Sequence, residues 1–140
     1  MFMAGLIILI IGASVGAWSF WSSARRRRAQ FGSREQLSGE QLFADYFSDS
    51  DLPKQVVLGL WNECADKLRV PASKLRPTDR FKQELAVANF WASLDDPRDD
   101  LAHFVREFAK ERSTGIDLAN SETVGQLVDQ LARIEVGRRP

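Results

Sequence analysis

The chain is poor in the residues from which most active centres are built, with one cysteine, Cys64, and one histidine, His103, among 140 residues. A lone cysteine forms neither an internal disulfide nor a cysteine-rich zinc site, and a lone histidine cannot build a multi-histidine metal centre. The part after residue 24 holds neither a glycine-rich phosphate loop nor a nucleophile elbow. Charge is missing altogether from residues 1–24, so all 19 basic and all 19 acidic side chains lie behind them. Five bases, Arg25, Arg26, Arg27, Arg28 and Arg34, precede the first acid, Glu35, and the chain beyond Arg34 carries 14 bases against 19 acids. Such an acidic domain has no electrostatic reason to seek a phosphate backbone, so nucleic acid is not an expected partner.

The uncharged stretch is itself informative. From Met3 to Ser22 the chain reads MAGLIILIIGASVGAWSFWS, and about 20 residues at ~1.5 Å each cover a hydrocarbon core ~30 Å thick. Trp18, Phe20 and Trp21 gather at its far end, where amphipathic rings favour the headgroup zone. Arg25 to Arg28 follow directly, and bases beside a span keep to the cytoplasmic side. Residues 3–23 are therefore expected to be a retained transmembrane anchor in the cell (inner) membrane, with the N-terminus outside and the remaining domain in the cytoplasm. A secretory signal carries its positive charge before the apolar run, which is the reverse of this order. Membrane lipid is thus one expected partner, with Trp18, Trp21 and Arg25, Arg26, Arg27 and Arg28 as anchoring residues. Gly12 and Gly16 are spaced for close helix packing, a pattern that also arises by chance, so self-association stays open.

Residues 24–37 read as a basic juxtamembrane linker, and helical periods follow. Ser38-Gly-Glu-Gln41 has capping-box spacing and opens a short amphipathic helix, 38–49, carrying Leu42, Phe43, Tyr46 and Phe47. Pro53 suits the first position of the next helix, whose stripe is Val57, Leu60, Trp61, Cys64 and Leu68. Asp96-Pro97-Arg98-Asp99 marks another start, with Leu101, Phe104, Val105 and Phe108 as the stripe and Gly115 as the stop. His103 falls off that stripe and is expected at the surface. Asn120 or Ser121 is expected to cap the last helix, on which Val124, Leu127, Val128, Leu131 and Ile134 recur. No useful β alternation is present. The expected fold is all-α, a small bundle of three main helices plus short turns over 50–136, behind one transmembrane helix and ahead of a short tail, 137–140.

Leu68 to Leu85, LRVPASKLRPTDRFKQEL, resembles the acyl carrier protein family, in which the first long helix ends in Leu-x-Val and spaced apolar residues follow. Val70, Leu75, Phe81 and Leu85 hold that spacing, and Ile116-Asp117 and Thr123-Val124 continue it in order. The likeness covers residues 50–136. Physics alone supplies a reason for the spacing, because a long loop crosses a bundle only where apolar side chains pin it. Carrier proteins attach phosphopantetheine to the Ser of Asp-Ser-Leu at the start of the second helix. In Asp99-Asp100-Leu101 that place is Asp100, and a carboxylate cannot accept the arm.

The resemblance therefore implies a carrier-like bundle without a cofactor. Its expected function is that of a non-enzymatic interaction module on the cytoplasmic face. The alternative is a phosphopantetheine carrier modified at Ser93, in Ala92-Ser93-Leu94-Asp95. A helix beginning at Ser93 would place Pro97 at the end of its first turn and acids on the buried face. Asp95, Asp96, Asp99 and Asp100 lack the alternation and glycine of a calcium loop. By resemblance they are docking acids for a partner with a basic face. Phe90 and Trp91 are the remaining docking candidates, either capping the core or anchoring a partner. Cys64 reads as a small buried apolar group.

Overall fold

The structure, a computed structural model, describes residues 18, 25, 29–86, 95–116 and 118–138. The chain divides into two compact units, residues 1–33 with 87–96 and residues 34–86 with 97–140. In the first unit Trp18 and Arg25 are helical and exposed, Ala29 to Gly32 form a helical turn, and Phe31 is buried. Ser33 ends that turn, its hydroxyl donating to the Gln30 carbonyl at 3.2 Å. Among the described residues no helix is long and apolar enough to cross a membrane. The expected anchor, residues 3–23, lies outside the described residues except for Trp18.

The second unit is all-helical apart from its loops. Its first helix, α1 (Gly39–Tyr46), begins as the spacing requires: the Ser38 hydroxyl accepts from Gln41 N–H at 3.2 Å while the Gln41 side chain accepts from Ser38 N–H at 3.0 Å. Leu42 buries its inner face, and Phe47, just past its end, meets Trp61 edge to face with ring centroids 6.4 Å apart. The following helix, α2 (Lys54–Leu68), starts one residue after the position expected from Pro53, which sits outside as an extended cap. Pro53 supplies a fixed φ and its carbonyl accepts from Val56 and Val57 N–H, so the proline starts the helix without belonging to it.

α2 packs against α1 and against both remaining long helices, α3 (Pro97–Glu111) and α4 (Val124–Arg138). Val57, Trp61, Cys64 and Leu68 from α2 meet Leu101 and Val105 from α3 and Val124, Leu127, Val128 and Leu131 from α4 in a fully buried core. Burying each Leu or Val contributes ~1.5–3 kcal/mol, which is why the three-and-four spacing holds these helices together.

Two helix ends differ from their expected form. α3 is closed by Ser113, a non-glycine residue at φ 52, with Thr114 N–H donating to the Ala109 carbonyl at 3.0 Å; Gly115 is not the stop. The left-handed conformation costs an ordinary residue ~1–2 kcal/mol, which the neighbouring contacts outweigh. Arg112, just before it, lies 3.6 Å over the Phe108 ring and donates to Glu135 of α4 at 2.7 Å. α4 is capped by Thr123, whose hydroxyl accepts from Gln126 N–H at 3.2 Å. Asn120 instead ends a 3-10 turn, Leu118–Asn120, and Ser121 is buried beside Gln130.

The loop between α2 and α3 is pinned as its apolar spacing predicts, with Val70, Leu75, Phe81 and Leu85 all buried. Trp61 Nε1 donates to the Ala72 carbonyl at 3.1 Å, and Arg98 of α3 donates to the Phe81 carbonyl at 3.0 Å. Gly125 N–H donates to the Pro77 carbonyl at 2.9 Å, an approach only glycine permits, since a Cβ there would lie 2.7 Å from the Pro77 Cβ. Sequence reading did not foresee the main polar lock. Asp79, a 2% exposed residue, accepts both Arg34 guanidinium nitrogens at 2.7 and 2.8 Å and the Arg76 N–H at 2.8 Å. Arg34 to Leu37 are therefore bonded to the domain, although the sequence places them in a linker.

Candidate docking site

The end of α2 and the start of α3 build the most chemically distinct part of the surface. α2 closes through Arg69 in the left-handed region, φ 57 and ψ 37, with Val70 N–H donating back to the Ala65 carbonyl at 3.1 Å. This closure turns Val70 into the core and leaves Arg69 outside. Its Nη2 then donates to Asp100 Oδ2 at 2.9 Å, with both side chains about half exposed.

α3 starts at Pro97, so Asp99 and Asp100 fall in its first turn, where unpaired N–H groups favour negative charge. Asp100, His103, Phe104 and Glu107 recur at three- and four-residue steps along one face. Together with Asp66 and Lys67 of α2 they line an open groove of about 580 Å³. Three carboxylates face one lysine and one imidazole there, with the half-buried Phe104 ring among them. The groove can offer a cation both charge and an aromatic surface.

The expected site residues separate under this geometry. Asp99 and Asp100 are exposed in the domain, as docking requires. Asp95 is exposed, but Asp96 is only 8% exposed, so burial removes it from any face a partner could meet. Both Asp95 and Asp96 belong to the other unit. Ser93, Phe90 and Trp91 lie outside the described residues, as do Trp21, Arg26, Arg27 and Arg28. Because the helix begins at Pro97, Ser93 is not its first residue. Trp18 and Arg25 are exposed.

Asp66, Glu107 and Phe104 were missed as site residues. Glu107 and Phe104 were legible as helical neighbours of Asp100, and Phe104 is half-buried, not the core residue its stripe position suggested. Asp66 joins only through the packing of α2 on α3, which no local spacing reveals.

Two chemically capable groups are occupied by structure. Cys64 is fully buried, and desolvation, reinforced by Glu63, pushes its thiol up to about 12, which leaves no thiolate nucleophile at neutral pH. Asp79 has its oxygens taken by Arg34 and Arg76. His103 is exposed, as expected. Among the described residues no group of three His, Cys, Asp or Glu side chains is placed to hold a metal ion. A second opening of about 310 Å³ lies between α1 and α2, with Leu42, Leu58, Trp61, Asn62 and Ser73 in its wall. No family model, curated protein or solved structure matches the chain.

Proposed function

We propose that the chain is a membrane-tethered, acyl-carrier-like interaction module that works by contact, with no prosthetic arm, and that its acidic groove receives a basic partner on the cytoplasmic side. The observation that carries this reading is Asp100. By the resemblance it stands where a carrier has its attachment serine, and here it is a carboxylate in the first turn of α3, paired with Arg69. A carboxylate there accepts no phosphopantetheine but attracts a cation, and Asp66 and Glu107 add to that attraction. The buried set Val70, Leu75, Phe81 and Leu85 supports the carrier-like part of the reading. The tether rests on the uncharged residues 3–23 and the arginines behind them, and it would raise the local concentration of membrane-bound partners.

The test is intact mass spectrometry of the full chain after incubation with a phosphopantetheinyl transferase and coenzyme A. An unchanged mass is expected. A gain of one arm that disappears in Ser93→Ala would replace this reading with that of a true carrier.

A further inference from the structure

Burial alternates residue by residue along part of the loop between α2 and α3. Leu75, Pro77, Asp79 and Phe81 are buried, Lys74 and Arg76 are half-buried, and Thr78, Arg80 and Lys82 are exposed. The segment runs through turns closed by Leu75 N–H to the Pro71 carbonyl and Asp79 N–H to the Arg76 carbonyl, and its burial pattern leaves an inward set that pins the loop and an outward set that reads Lys, Arg, Thr, Arg, Lys. The single acid of this stretch, Asp79, is on the inward side and bound to Arg34. Glu84, just beyond, accepts the Arg80 N–H at 2.8 Å, and the strip stays positive with it included. The rest of the chain after Arg34 has 10 bases and 18 acids, so this is a basic strip on an acidic domain. The Arg76 guanidinium is tied to the Ser73 and Leu75 carbonyls, whereas packing asks only for polar residues at the exposed Arg80 and Lys82.

The same loop is bonded to the segment through which the tether enters the domain. Leu37 N–H donates to the Ser73 carbonyl at 2.9 Å, Arg34 Nη1 donates to the Lys74 carbonyl at 3.1 Å, and the Arg76 guanidinium donates to the Glu35 carbonyl. Only 11 residues lie between Ser22, at the end of the apolar run, and Arg34. The strip thus lies beside the point where the domain is attached.

We propose that the outward side of residues 74–82 is a contact surface for an anionic bilayer, on which the domain rests. This rests on the tethered reading above. Lys and Arg are drawn to anionic headgroups within a Debye length, about 10 Å at 0.1 M salt, and the acidic remainder is repelled by the same surface. Attraction at the strip and repulsion of the acidic remainder together orient the domain.

The experiment uses the full chain carrying Thr78→Cys, labelled there with a thiol-reactive fluorophore; the buried Cys64 does not compete for the label. The protein is reconstituted into phosphatidylcholine vesicles, or into vesicles containing about a third phosphatidylglycerol, each with a headgroup-attached quencher. Quenching should be at least about threefold stronger with the anionic lipid at low salt and should fall to the phosphatidylcholine level at about 0.5 M salt. Arg80→Gln with Lys82→Gln should abolish the difference while leaving the circular dichroism unchanged, because both positions are exposed. Equal quenching in the two vesicles overturns the proposal. Flotation reads the tether separately. A chain that floats with phosphatidylcholine but quenches equally keeps the tether and loses the strip. A chain that floats only with anionic vesicles, and fails to in the double variant, loses the tether and keeps the strip.

Discussion

Two Arg–Asp pairs hold the domain's long loop, Arg34–Asp79 within it and Arg69–Asp100 across its two ends, and their surroundings give them opposite roles. Arg34 and Asp79 meet through two bonds, with the Asp79 side chain only 3% exposed, whereas Arg69 and Asp100 meet through one bond at 2.9 Å with side chains 45% and 53% exposed. A buried carboxylate deprived of its partner pays a desolvation penalty that no rearrangement relieves, while an exposed one returns to water. The Asp79 pair is therefore part of the fold, and the Asp100 pair is an exchangeable contact that a cationic partner can replace. The bond at the rim of the groove is the weaker of the two.

Asp79→Ala should have the largest effect, a loss of about 3–5 kcal/mol in urea unfolding, because it takes both carboxylate bonds from the half-buried Arg34 guanidinium and removes the Arg76 N–H acceptor. Asp100→Ala should cost less than about 1 kcal/mol in the same experiment; equal losses would erase the distinction between the pairs. Gly125→Ala should cost about 1–3 kcal/mol, since its Cβ would meet Pro77 backbone as well as side chain and push the loop off α4.

Alkali gives a graded effect. The Cys64 thiol is raised from its ordinary 9.0 to about 12 in the folded domain, so its contribution to stability is complete below pH 9 and is lost as pH rises toward about 12. Cys64→Ala should flatten the stability profile between those limits, and a thiol reagent at pH 8 should react only after denaturant is added. Arg69→Gly should change stability least: relief of the left-handed backbone, about 1 kcal/mol, offsets loss of the exposed pair. A loss above about 2 kcal/mol would show that the Asp100 contact belongs to the fold after all.

What sequence disclosed follows the range of the forces involved. Helix faces were legible because burial repeats with the helical period: Val57, Trp61, Cys64 and Leu68 are buried, and Leu60 of the same stripe is half-buried. The loop pins Val70, Leu75, Phe81 and Leu85 were legible as isolated apolar residues in a polar stretch, and the Ser38 cap was legible as a local pattern. Ser113 was not, because a residue forced to positive φ by tertiary contacts carries no mark of it in sequence. Nor was the Arg34 to Asp79 bond, which joins residues 45 positions apart and makes a structural element of what resembles a linker. Asp96 looked like one of four equivalent acids until its burial set it apart. At the groove, the α3 members follow from spacing, and Asp66 follows only from the way two helices pack.

By the resemblance, Asp100 occupies the place where a carrier has a hydroxyl. The most direct measurement is the intact mass of the full chain and of Asp100→Ser after treatment with a phosphopantetheinyl transferase and coenzyme A. The native chain should stay unmodified and the variant, which restores Asp-Ser-Leu at 99–101, should gain one arm. An arm on the native chain, removed by Ser93→Ala, would contradict the account.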